Sequence, residues 1–98
     1  MIYAKDARRI ASKRMEELEQ KIHDFIKEFL DSALRVKITE TAEKGFCFLA
    51  LSITDLEKMS GIPKEYRSIF LEELMQKISY FGYKCQIDKD LNKFSIFW

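Results

Sequence analysis

A chain of 98 residues has room for one domain and one hydrophobic core. Its apolar fraction of 47% and charged fraction of 34% are those of a folded globular chain and argue against disorder, and no apolar run reaches the ~20 residues a membrane-spanning helix needs. The net charge of +1 removes any bulk attraction to nucleic acid or anionic membranes, although Lys5, Arg8, Arg9, Lys13 and Arg14 stand against only Asp6 between residues 1 and 14, leaving the rest of the chain net acidic.

The first predicted element is a helix from about Tyr3 to Ala33. Ala11, Met15, Leu18, Ile22, Phe25 and Phe29 recur at alternating steps of four and three, which puts them on one face, and Ile26 and Leu30 widen that stripe. Such a helix is about 45 Å long at 1.5 Å per residue. A globule of this size has a radius of gyration of about 13 Å, so part of the helix has to project, bend or pack on another molecule. Leu34, Val36 and Ile38 then alternate with Arg35, Lys37 and Thr39, which predicts a half-buried strand. Glu40–Gly45 follows as a hairpin connection to a second strand over Phe46–Ile53. That strand is apolar on both faces, as in a central strand covered on both sides.

Thr54 and Glu57 have the spacing of a capping box, opening a short helix that stops at Gly61. Pro63 suits the first turn of another helix running to about Phe81, with Tyr66, Ile69, Phe70, Leu74, Ile78 and Phe81 inward and Gly82 as its stop. The tail predicts a hairpin. Tyr83, Cys85 and Ile87 alternate with polar residues, Lys89–Asn92 turns the chain, and Phe94, Ile96 and Trp98 alternate on the way back, so the C-terminal residues are expected to dock in the fold. The predicted fold is α+β: a long N-terminal helix, a β-hairpin, a short and a second long helix, and a C-terminal hairpin. Its four-stranded, mainly antiparallel sheet packs on the helices as one domain over residues 1–98.

Little in the chain suits catalysis. His23 lies between Ile22 and Asp24 on the long helix with no serine or cysteine motif near it, and a solvent-facing histidine is the plainer account. Cys47 and Cys85 lie in apolar runs without metal-type spacing and read as free thiols of a reducing compartment; with no leader pattern, a cytoplasmic protein is expected. Gly45, Gly61 and Gly82 each fall at an element boundary, so no phosphate-cradling loop forms. Glu16-Glu17 and Glu72-Glu73 are adjacent on helices, about 100° apart, and do not converge as acid-base dyads. No enzymatic activity, cofactor or metal is expected.

Binding surfaces are better represented. Lys5, Arg8, Arg9, Lys13 and Arg14 sit at a helix start, where the macrodipole is already positive. They are either solvated charges on a fraying end, partly paired with Glu16, Glu17 and Glu19, or a site for an anion or an acidic partner surface. A second surface is an open sheet face carrying Arg35, Lys37, Lys84, Gln86, Lys93 and Phe97, suited to single-stranded nucleic acid or to a second copy of the chain.

Residues 54–70, TDLEKMSGIPKEYRSIF, resemble a repressor-type helix-turn-helix through Leu56, the Ser60-Gly61 turn, Ile62 and Phe70, and depart from it at Glu57 and Arg67. With a strand before and a hairpin after, the resemblance implies a winged-helix-like DNA-binding regulator using residues 54–81, with Lys64 and Arg67 at the DNA. The whole chain is similar to small accessory proteins of tailed bacteriophages in its opening MIYAKDARRIA, its long charged helix and its GYKCQID…KFSIFW hairpin. That resemblance implies a protein of the host-cell cytoplasm acting by stoichiometric binding. The reading is a non-enzymatic binding or assembly module, a homo-oligomer that takes a protein or small anionic ligand through the basic cluster.

Overall fold

The computed structural model describes all 98 residues. Helix α1 spans Ala4–Asp31 and α2 spans Ala33–Glu43. Strand β1 (Phe48–Ser52) leads directly into α3 (Ile53–Ser60). A single 3-10 turn over Lys64–Tyr66 precedes α4 (Arg67–Tyr80), and β2 (Lys84–Asp88) and β3 (Lys93–Phe97) form the closing hairpin.

The sheet has three antiparallel strands in the order β1-β3-β2, not the expected four. The absent strand is the one predicted over Leu34–Ile38, which belongs to α2. Leu34 and Ile38 also continue from Leu30 at steps of four, and no Gly or Pro stops a helix before Gly45. A short apolar run satisfies both periods, and here packing chose the helix: Leu34 is buried while Val36 is left 54% exposed. The expected hairpin connection at Glu40–Gly45 is accordingly the end of α2, with Gly45 at φ 89 just beyond it. Ser32 separates the two helices at φ −122, ψ −87, where its hydroxyl and its N–H both donate to the Glu28 carbonyl (2.7 and 3.1 Å). The long helix both ends in a bend and projects: the molecule measures 60 × 28 × 21 Å, with a radius of gyration of 16.1 Å.

β3, not β1, is the inner strand. Leu51 and Leu49 of β1 face Phe94 and Ile96, whose other neighbours are Ile87 and Cys85, and this face closes the core. The opposite face, with Phe48, Phe97 and Lys84 in one row, is open, so β1 is covered on one side only. From α1, Ile22, Ile26 and Phe29 join Leu34, Ile53, Leu56, Phe70, Leu71, Leu74 and Ile78 beneath the sheet. Phe70 is fully buried and meets Phe25 edge-on, at 5.6 Å between ring centroids. Ile69 and Phe81, expected inward, are 40% and 66% exposed. Leu71 takes the inward place beside Phe70, and Phe81 lies past the last turn, where Gly82 at φ 93 redirects the chain into β2.

Thr54 is not the cap of α3. Ser52 is, its hydroxyl accepting from the Asp55 N–H (3.4 Å), while Thr54 is held by the hairpin turn. Asn92, the one non-glycine residue at positive φ, accepts from the Thr54 N–H and hydroxyl (3.2 and 3.1 Å) and donates through Nδ2 to the Ser52 hydroxyl (3.1 Å). Its carbonyl accepts from the Ile53 N–H at 3.0 Å. One asparagine therefore fastens the β2–β3 turn to the start of α3. At the other end of α3, Gly61 is left-handed as expected, and Lys21 of α1 donates to its carbonyl at 2.8 Å. Trp98 is tied in by its N–H to the Cys47 carbonyl (3.0 Å).

Candidate functional site

Lys5, Arg8, Arg9, Lys13 and Arg14 all lie on the exposed part of α1, ahead of its first buried residue. The first buried residue of the helix is Leu18, and everything before it is exposed except for half-covered Asp6. Residues 4–17 thus form a free helical arm about 20 Å long at 1.5 Å per residue. Arg9 pairs with Asp6 (3.5 Å) and Arg14 with Glu17 (3.7 Å), both on the surface, where such pairs contribute little. Arg8 reaches back to the Ala4 carbonyl at 3.5 Å, and Lys5 and Lys13 have no partner.

The arm is amphipathic. At 100° per residue, Tyr3, Ala7, Ile10, Ala11 and Met15 occupy one broad side and run on into Leu18 and Ile22, so the stripe that enters the core begins well outside it. Ile10 is 63% exposed and Met15 36%. Lys5, Arg9 and Lys13 fall on the other side, Arg8 lies at the edge beside Met15, and Arg14 interrupts the apolar side between Tyr3 and Ala7. The N-cap, Tyr3, makes no side-chain hydrogen bond, and cations crowd the positive pole of the helix. A helix end of this kind is poorly stabilised on its own and gains from any surface that covers its apolar side.

The alternative DNA contacts fare differently from one another. Lys64 is exposed in the 3-10 turn. Arg67 instead faces inward on α3, its Nε and Nη2 forming a two-pronged pair with the Glu57 carboxylate (Nη2 to Oε2 3.1 Å). The two departures from the helix-turn-helix pattern, Glu57 and Arg67, are therefore one interaction that joins the two helices. Sequence spacing pairs residues three or four apart and gives no hint of a contact ten residues apart across a turn.

His23 is exposed, as expected, and its Nδ1 lies 3.8 Å from Glu73 Oε1 on α4. Cys47 is exposed and Cys85 half-buried, and both are free. Burial pushes the Cys85 thiol up, partly offset by a hydrogen bond from Ser79. No three His, Cys, Asp or Glu side chains gather as metal ligands would.

On the open sheet face, Lys84, Gln86, Lys93 and Phe97 lie where the sequence placed them, while Arg35 and Lys37 belong to α2 instead. Phe46 and Phe48 join Phe97 at one end, with ring centroids 6.3 Å apart in each pair. A groove of about 320 Å³ between α2 and the end of α4, walled by Leu30, Leu34, Ile38, Ile78, Phe81 and Tyr83, has no counterpart in the sequence reading. Its only signal was the four-residue step from Leu30 to Ile38, obscured by the competing two-residue alternation. No helix of the chain is long and apolar enough to cross a membrane. Comparison with protein-family models, curated proteins and solved structures finds no match to this chain.

Proposed function

We propose that this chain is a non-enzymatic binding and assembly module that holds a protein partner, a second copy of the chain included, through the arm at residues 4–17. One observation carries the reading: the apolar stripe of α1 continues beyond the core onto a helix that nothing in the chain covers. Its cations, Lys5, Arg8, Arg9, Lys13 and Arg14, favour an acidic partner surface over a small anion, because the five charges spread along and around the helix and enclose no pocket. The likeness to tailed-phage accessory proteins supports the same mode of action, stoichiometric binding.

The test compares the full chain with a variant lacking residues 1–14, each tagged and recovered from the same cells. The variant is expected to unfold within a few degrees of the full chain, since the removed residues touch no core, and to lose the protein that the full chain retains. Identical sets of retained proteins would end the assignment to the arm.

The strand order β1-β3-β2 around α3 and α4 favours a second reading, a winged-helix-like DNA-binding regulator using residues 54–81. Against it stand Arg67, spent on Glu57, and an exposed α4 surface that carries Glu72 and half-exposed Glu73 beside Ser68, Ile69 and Gln76. Steeply salt-dependent binding of duplex DNA, weakened by Lys64→Ala, would establish this reading over the first.

A further inference from the structure

We infer that the open face of the sheet, separately from the arm, binds single-stranded nucleic acid, with bases stacked on Phe48 and Phe97 and phosphates held by Lys84 and Lys93. Successive residues of a strand point to opposite faces, so the strand pairing lays this face out in rows. Phe48, Phe97 and Lys84 lie side by side at one end, Ala50, Ser95 and Gln86 in the middle, and Ser52, Lys93 and Asp88 at the other end. Phe48 is 49% exposed and Phe97 37%, and Phe46, just before β1, is 54% exposed. Phe48 and Phe97 are cross-strand partners with ring centroids 6.3 Å apart and planes 30° from parallel, which makes a platform where neighbouring bases each meet a ring. Phe46 meets Phe48 edge-on and extends the platform past the end of the sheet.

The composition of the face selects the occupant. Around the rings stand lysine, serine and alanine, which protein–protein interfaces disfavour, and no leucine, isoleucine, valine or methionine lies in these rows. A nucleic-acid strand needs what is there. Every base has a π face that stacks on a ring, and every phosphate needs a cation. Lys84 continues the row of rings, and Lys93 stands about 14 Å along β3 from Phe97, at 3.4 Å per residue. Both lysines are exposed and neither is paired with a carboxylate. Asp88, the only carboxylate in these rows, is half-buried and accepts from the Leu91 N–H in the hairpin turn at 3.1 Å. Between the two lysines, the exposed Gln86 amide is free to hydrogen-bond a base edge. A duplex keeps its bases stacked inside and offers the rings no π face, so the face suits single strands.

Fluorescence anisotropy of labelled oligouridylate and oligothymidylate, titrated with the full purified chain at several salt concentrations, tests the site. Binding is expected at low salt and is expected to weaken as salt rises, with a slope of about −1.4 in log K against log salt for two phosphate contacts. Phe48→Ala and Phe97→Ala are each expected to weaken binding about tenfold or more. Lys84→Gln with Lys93→Gln, both at exposed positions, should flatten the salt dependence to near zero, and circular dichroism checks that each variant keeps its fold. Failure to bind either oligonucleotide would overturn the proposal, as would duplex DNA that competes equally well. Binding that survives the sheet substitutions and falls with Lys5→Gln and Arg9→Gln would move it to the arm and overturn the proposal too. If neither oligonucleotide binds and the chain has a dimeric mass that Phe48→Ala reduces, the face belongs to a second copy instead.

Discussion

The two halves of α1 share one pattern and meet opposite fates. From Leu18 to Asp31 the apolar stripe is buried, with Leu18, Ile22 and Ile26 each 1% exposed. From Ala4 to Glu17 the same stripe continues at the same spacing and lies open. Amphipathic periodicity records that a face is to be covered, but it does not say by what. In the second half the cover is the chain's own α4 and sheet. In the first half the chain leaves most of that face open, with Ile10 63% exposed.

This contrast predicts sharply unequal responses to the same kind of truncation. Phe70→Ala, beneath the buried half, is expected to lower the unfolding free energy by about 3–5 kcal/mol in urea titrations. Ile10→Ala on the arm is expected to change the stability of the dilute chain by less than about 0.5 kcal/mol while weakening the hold on the arm's partner, which reverses the ranking when the readout is binding. A large loss of dilute stability from Ile10→Ala would mean that the arm belongs to the core after all.

Polar fasteners in the body come next in size. Glu57→Ala or Arg67→Ala is expected to destabilise by about 1–3 kcal/mol, since each leaves a half-buried charge without its partner. The double variant should cost less than the sum of the two. Asn92→Ala removes three side-chain hydrogen bonds and places alanine at φ 54, for an expected loss of about 1–2 kcal/mol. Asn92→Gly should recover the backbone part of that loss only, so it separates turn geometry from the link to α3.

The smallest effect concerns the thiols. Cys47, exposed, is expected to react with iodoacetamide about tenfold faster than Cys85 at neutral pH. Burial holds the Cys85 thiol above its ordinary value, so the unfolded chain gives up that proton first as pH rises. The contribution of this group to stability is full below the ordinary thiol range and is lost as pH climbs through the raised folded value. Urea midpoints of wild type and Cys85→Ala should therefore diverge with pH only on the alkaline side.

Elements defined by one unambiguous signal were legible in the sequence. The α1 stripe, the stop of α3 at Gly61 and the final hairpin, with Phe94 and Ile96 inward, needed only local period and turn chemistry. Residues 33–43 were not, because Leu34 and Ile38 fit both helix and strand spacing and the decision lay in tertiary packing. The basic residues of the arm were legible as a cluster, and the length of α1 already required that something project. What escaped was contact across elements: the Glu57–Arg67 pair, the Asn92 link to Ser52 and Thr54, and His23 beside Glu73 each join residues that periodicity never compares.

Hydrogen exchange of the chain, dilute and alone or bound to the protein it retains from cells, tests the central claim most directly. When the chain is dilute and alone, amides of residues 4–17 are expected to exchange quickly while those of the body, led by α4 and β3, stay protected. When the partner is bound, the arm should slow markedly and the body should not change. Arm amides that exchange at the same rate in both states, whether fast or slow, would contradict the account: fast means that the partner does not cover the arm, and slow means that the arm needs no cover.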